Sequence, residues 1–158
     1  MKLYVNFLAV LLVFVTGSAI AQDEEYKTFK DKKVGYTVNY PKKWKAKGGD
    51  TSFYCGREAG FSNSEFVIIW SDADDQERID FYFTNADFYK DYIVQRETVT
   101  IDGLQAEHII ATKRNNPEVY SEEIILKTPE KWYKFQNAGV YDLRFRHFYE
   151  SFHFLTAK

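Results

Sequence analysis

The sequence predicts an α+β domain: an antiparallel β-sheet with helices covering its faces. Three observations predict it. Residues 34–40 alternate apolar and polar side chains, and Asp102–Gly103 is a tight-turn dipeptide between two further strand-like runs; period two marks a strand with one buried face. Phe66, Val67, Ile68, Ile69 and Trp70 form a continuous apolar run, the pattern of a central buried strand. Near the end the period changes. Tyr141, Phe145, Phe148, Tyr149 and Phe152 fall at i, i+4, i+7, i+8 and i+11, one face of a helix.

Residues 1–21 stand apart from the fold. Lys2 precedes an apolar run at residues 7–15, and Ala19 and Ala21 occupy the A-x-A positions. This predicts a secretory signal cleaved before Gln22. The run falls short of the roughly 20 apolar residues of a membrane span, so no integral span is expected after cleavage. Gln22, rather than a cysteine, argues against a lipid anchor at that position. Residues 22–158 suit one domain.

The first strands fall at residues 26–30 and 34–40, with Val34, Tyr36, Val38 and Tyr40 on one face. Pro41 has no N–H for a ladder, so it ends the strand or lies at its edge. Gly48, Gly49 and Asp50 make a turn, residues 51–55 a strand, residues 56–64 a loop and residues 71–77 an acidic loop. Residues 78–83 fit a strand or a helix equally. Asn85 can cap a helix from Ala86 to about Val94, on a stripe of Phe88, Tyr89, Tyr92 and Ile93. Beyond it come strands at 97–101, 104–113, 119–127 and 131–138. They are joined by Asp102–Gly103, by residues 114–118 and by residues 128–130, an antiparallel meander.

Charge and composition exclude several classes. The full sequence carries 21 basic and 23 acidic residues, net −2. The signal segment holds one lysine and no acid, so the mature chain is slightly more acidic, and nucleic acid is not an expected partner. Cys55 is the single cysteine, so no intramolecular disulfide can form and stability must come from the core. The aromatic content, 14 Phe, 12 Tyr and 3 Trp, suits packed sheet faces.

Sites of chemistry are weakly signalled. Asp72, Asp74, Asp75 and Glu77 offer hard oxygen ligands, but no register supplies the glycine and glutamate of a calcium loop. His108, His147 and His153 have no zinc-ligand spacing. Glu107 and His108 are neighbours on a strand and point to opposite faces. Glu122 and Glu123 likewise alternate, with one expected in solvent. Cys55 beside Arg57 reads as a buried core residue rather than an activated thiol. There is no nucleophile elbow and no glycine-rich phosphate loop. Neither a metal nor a cofactor is expected.

Three segments resemble PsbP-like domains. "TFKDKKVGYTVNYPKKW" at 28–44 resembles their opening hairpin, "TVTIDGLQA" at 98–106 their mid-chain strand and turn, and "FYESFHF" at 148–154 their closing helix. The likeness spans residues 26–155 and is greatest to small secreted bacterial members of undefined role. It implies an α-β-α sandwich and carries over only structural markers: Tyr40, Pro41, Trp44, Asp102, Gly103, Ser151 and Phe152. The metal-site residues of the photosynthetic members have no counterpart here.

The resemblance and the sparse chemistry together point to a non-enzymatic, exported module, periplasmic or secreted. It is expected to be a monomer that binds an envelope or extracellular protein. The candidate partner surface is Lys42, Lys43, Trp44 and Lys45, a basic cluster that also reads as a solvated turn beside a packed tryptophan. The alternative is a small-molecule or carbohydrate binder with an aromatic groove lined by Trp70, Tyr82, Trp132 and Tyr133.

Overall fold

Asp102 and Gly103 both take positive φ, 47° and 81°, which matches the twist of two directly paired strands. In the computed structural model, which describes residues 25–57, 66–84, 89–139 and 141–155, this turn joins β6 (Tyr92–Ile101) to β7 (Leu104–Lys113). The pair runs unbroken from Ile101↔Leu104 to Tyr92↔Lys113. The meander continues through β8 (Asn116–Lys127) and β9 (Lys131–Gly139). β5 (Phe66–Asp72) pairs with β9, and β4 (Ser52–Gly56) and β3 (Lys45–Gly48) follow. The seven-stranded order is β3-β4-β5-β9-β8-β7-β6.

A second sheet is built from β1 (Tyr26–Asp31), β2 (Tyr36–Pro41) and β10 (His153–Phe154), in the order β1-β2-β10. Tyr36 and Val38 of β2 are fully buried. They meet Phe53 and Cys55 of β4, Phe66, Ile68 and Trp70 of β5, Ile124 and Leu126 of β8, and Tyr133 and Phe135 of β9. The core is rich in aromatic rings: Phe29 lies 4.3 Å from Phe53, and Tyr36 stacks on Phe152 at 5.0 Å between ring centroids.

The expected α-β-α sandwich is overturned. The described residues hold only two short helices, α1 (Gln76–Phe83) and α2 (Arg144–Glu150). One face of the large sheet is covered by the small sheet together with α2, whose Phe145, Phe148 and Tyr149 are buried. α1 contributes Phe83 and Tyr82 to a smaller cluster on the other face, with Ile109, Ile125, Tyr89, Val94 and Trp132. Periodicity reveals that a face is buried but not what buries it, so a sheet took a place assigned to a helix.

Local corrections have similar causes. The helix expected from Ala86 to Val94 fails at its end, because Tyr92, Ile93 and Val94 pair with Lys113, Thr112 and Ala111. Asn85 and Phe88 lie outside the described residues, as do the signal segment and most of the 56–64 loop. Residues 78–83 are helical, and the cap is Asp75, whose carboxylate accepts the Arg78 N–H at 3.1 Å. Tyr141 precedes α2 rather than belonging to it. Phe152 follows α2 yet stays fully buried. β8 begins at Asn116, so the turn before it is shorter than expected. β3 was not foreseen: its four residues are all exposed, and two of them are lysines of the kind that protect a sheet edge.

Candidate functional site

The register of three strands assembles a chain of polar side chains on the covered face of the large sheet. Glu97 of β6 lies opposite His108 of β7. Glu122 of β8 lies opposite Ile110, diagonal to His108 and on the same face. His108 Nδ1 is 2.7 Å from Glu97 Oε1, and Nε2 is 2.8 Å from Glu122 Oε1. The Tyr120 hydroxyl donates to Glu122 Oε2 at 2.6 Å.

This geometry constrains the protons. A neutral imidazole has one donor and one acceptor nitrogen, whereas carboxylates only accept. Two short contacts therefore require either an imidazolium between two carboxylates or a neutral ring beside one protonated carboxyl. The three groups carry net charge −1 in both cases. Burial works against a charged His108. The hydrogen bonds and negative charge of Glu122 and Glu97 outweigh it and raise its pKa above the ordinary value. Burial, then the hydrogen bond to Glu122, pushes the Tyr120 phenol up, so it stays a donor.

α2 roofs the cluster. The Tyr149 ring lies 6.0 Å from the His108 ring, and burial followed by the charge of Glu150 pushes its phenol up to about 12. Between sheet and helix is a cavity of about 520 Å³ whose lining includes Glu97, His108, Glu122, Tyr141, Arg146 and Tyr149. The segment leading into α2 is held by Asp142. Its carboxylate accepts the Arg144 backbone N–H at 2.9 Å and the Arg144 Nε–H at 2.8 Å. Burial alone would raise the Asp142 carboxyl, but the Arg144 hydrogen bonds and charge hold it below the usual range. Tyr141 and Leu143 on this segment are 66% and 74% exposed at the cavity rim.

The residues expected to form a partner or ligand surface lie elsewhere. Trp44 is only 5% exposed. Its ring packs 4.9 Å from Phe66, and the Arg144 guanidinium lies 4.6 Å above it. Lys42, Lys43 and Lys45 are exposed, and Lys42 pairs with Glu25, so the lysines and the indole do not form one surface. Trp70 and Tyr133 are buried in the main core. Trp132 and Tyr82 lie on the opposite face of the sheet, with Lys127 4.1 Å over the Trp132 ring. The four aromatics do not share a groove, because adjacent strand residues such as Trp132 and Tyr133 point to opposite faces.

Glu122 and Glu123 are both buried, at 6% exposure each, so neither faces solvent as expected. Glu123 accepts a hydrogen bond from the Tyr89 hydroxyl at 2.6 Å and lies 3.5 Å from the Lys134 ammonium. Cys55 is buried in the main core. The three histidines engage Glu97 and Glu122, the Tyr26 ring, and Asp102, respectively. The Glu97–His108 pair was legible but missed: counting outward from the Asp102–Gly103 turn places the two opposite each other. The contribution of Glu122 required the β7–β8 register, which a shift at Thr112/Lys113 makes unreadable from the turn alone.

Among the structural markers, Asp102 and Gly103 form the β6–β7 turn, while Ser151 and Phe152 fasten the end of α2. Tyr40 packs against the main core, and Pro41 closes β2 opposite Tyr26.

No family model matches the chain, and no curated protein matches it. Among solved structures it is similar to the solution structure of cyanobacterial PsbP (CyanoP) from Synechocystis sp. PCC 6803. The TM-score is 0.56 at 14% sequence identity, over 89% of this chain and 98% of that one. The chain has a PsbP-like fold.

Proposed function

We propose that this chain is an exported, non-enzymatic accessory module of the cell envelope, periplasmic or secreted like the small bacterial proteins it resembles. It acts as a monomer that binds a protein partner where α2 meets β6–β8. The observation that carries this reading is the exposure of Tyr141 and Leu143, neighbours on one segment at the mouth of the cavity. Aromatic side chains such as Tyr141 are enriched among the anchors of protein interfaces, and Leu143 adds exposed apolar area beside it. The signal-like segment at residues 1–21 supports export. Among the described residues no helix is long and apolar enough to cross a membrane.

His108 supports binding over catalysis. A general base needs a free lone pair within reach of a substrate proton. Both ring nitrogens are engaged by carboxylates, and the imidazolium form has no lone pair to offer.

A photo-crosslinking residue at Leu143 tests the reading in intact cells, with one at the remote, exposed Asp50 as control. One discrete adduct from position 143 and none from position 50 is expected. No adduct from position 143, or the same pattern from both, overturns it.

The small-molecule alternative retains one favourable observation. The cavity volume of about 520 Å³ falls within the range of ligand pockets, though its aromatic lining is Tyr141 and Tyr149 instead of the expected four.

A further inference from the structure

We propose that the cavity receives a basic side chain of the protein partner, a lysine ammonium or an arginine guanidinium, against Glu97. The inference rests on the partner-binding reading and names the chemistry of its anchor. The lining holds four carboxylates, Glu97, Glu122, Asp142 and Glu150, against Arg146 and His108. Two are matched locally: Asp142 by Arg144, and Glu150 by Arg146 at 2.8 Å. Glu122 spends one oxygen on His108 and the other on Tyr120. Glu97 spends only Oε1 on His108. Its Oε2 has no hydrogen-bond partner among the described residues, and its side chain is 63% exposed.

The remaining charge is therefore negative and has an open acceptor. The Glu97–His108–Glu122 cluster carries −1 wherever its proton sits, and Glu97, which holds the free oxygen, lines the cavity. An anion entering here would meet four carboxylates. A cation would gain a charge-assisted hydrogen bond in a recess that Tyr141 and Tyr149 also line. Leu143 can pack along the methylene stem of such a side chain while its charged head reaches inward. Arg146 is the resident competitor. Its exposed i,i+4 pair with Glu150 is of a kind that contributes little, so an incoming cation can displace it.

The test is an NMR titration of the purified protein with N-acetyl-lysine amide and N-acetyl-arginine amide, with N-acetyl-norleucine amide as the uncharged control. Saturable shifts centred on Glu97, His108 and Tyr149 are expected with both cationic probes and not with norleucine. Glu97→Gln should weaken binding about tenfold, the loss of one charge-assisted contact. Arg146→Gln, which removes the competitor, should strengthen it. Absence of saturable shifts with the cationic probes, equal shifts with norleucine, or unchanged affinity in Glu97→Gln overturns the proposal. A crosslink from position 143 with no amine binding leaves the partner reading standing and removes only the cationic anchor. Amine binding with no crosslink leaves a cation site at Glu97 but removes the protein partner, and so overturns the proposal as stated.

Discussion

The Ser151 hydroxyl accepts the backbone N–H of Asn39 at 2.8 Å. It also donates to the Phe148 carbonyl at 2.8 Å. β10 pairs with β2 only at Tyr36 and Thr37, so Ser151 takes the next outward-facing amide of β2 and fastens α2 to the small sheet. Ser151→Ala leaves that N–H without its partner. It should cost about 1–3 kcal/mol, read as a lower urea midpoint at unchanged slope. Faster amide exchange at Asn39 separates this cause from a general loss of stability.

Asp102 makes a second tie of this kind. Its carboxylate accepts the Phe154 N–H and contacts His153 Nδ1, each at 2.9 Å. Partial burial alone would raise the Asp102 carboxyl. The hydrogen bonds from His153 and Phe154, with the His153 charge, hold it below its ordinary value. A depressed folded pKa contributes stability above the unfolded value, about 3.9, and that contribution disappears as pH falls through the folded value. Asp102→Asn should therefore lower stability near neutrality and flatten the acid limb of a urea-midpoint profile. An unchanged acid limb contradicts the assignment.

Gly103 holds φ of 81°, and a Cβ there would meet nothing within 4 Å. The cost of Gly103→Ala is then conformational, about 1–2 kcal/mol. Gly48 has ordinary backbone angles, but a Cβ would approach the Phe29 ring to 2.9 Å. Gly48→Ala should displace that ring from Phe53 and cost about 1–3 kcal/mol. Chemical shifts of the Phe29 ring distinguish the two substitutions.

His108 gives a dependence of the opposite sign. Its pKa is raised on folding, so its contribution is complete below the unfolded value of about 6.5 and is lost as pH rises through the folded value. The ring C–H signals should titrate with a midpoint above 6.5. His108→Gln should remove this alkaline loss of stability, and its persistence would assign the loss to another group.

The pair on the opposite face of the sheet makes a different prediction. Lys134 and Glu123 are both buried. Glu123→Leu leaves the Lys134 ammonium without that carboxylate and should cost about 3–5 kcal/mol. Glu123→Leu combined with Lys134→Leu should be less destabilised than the single variant, because an apolar pair of similar volume often replaces a buried ion pair at little cost. A double-mutant cycle measures the difference.

Trp44→Ala should cost about 3–5 kcal/mol through loss of core packing. Exchanges at the exposed Lys43 should stay within about 0.5 kcal/mol. The segment that joins them is thus divided between core and surface at single-residue resolution.

The sequence by itself determined much of the strand content, the β6–β7 hairpin and the middle of the aromatic stripe, Phe145, Phe148 and Tyr149 of α2. These rest on short-range rules: alternation of side chains, the left-handed angles of Asp102–Gly103, and helical spacing. Pro41 and Trp44 were likewise readable, one as a strand end and the other as a packed ring. Tertiary structure alone decided that a three-stranded sheet shares with α2 the covering of the large sheet. It also decided that residues 92–94 extend β6, and that Glu122 and Glu123 are both buried. Periodicity reports which side chains share a face, whereas burial depends on what distant chain is laid against that face. The cavity belongs to this second kind of information. Glu97 and His108 meet by local register, but Glu122, Tyr149 and Arg146 reach them only when β8 and α2 pack onto the hairpin.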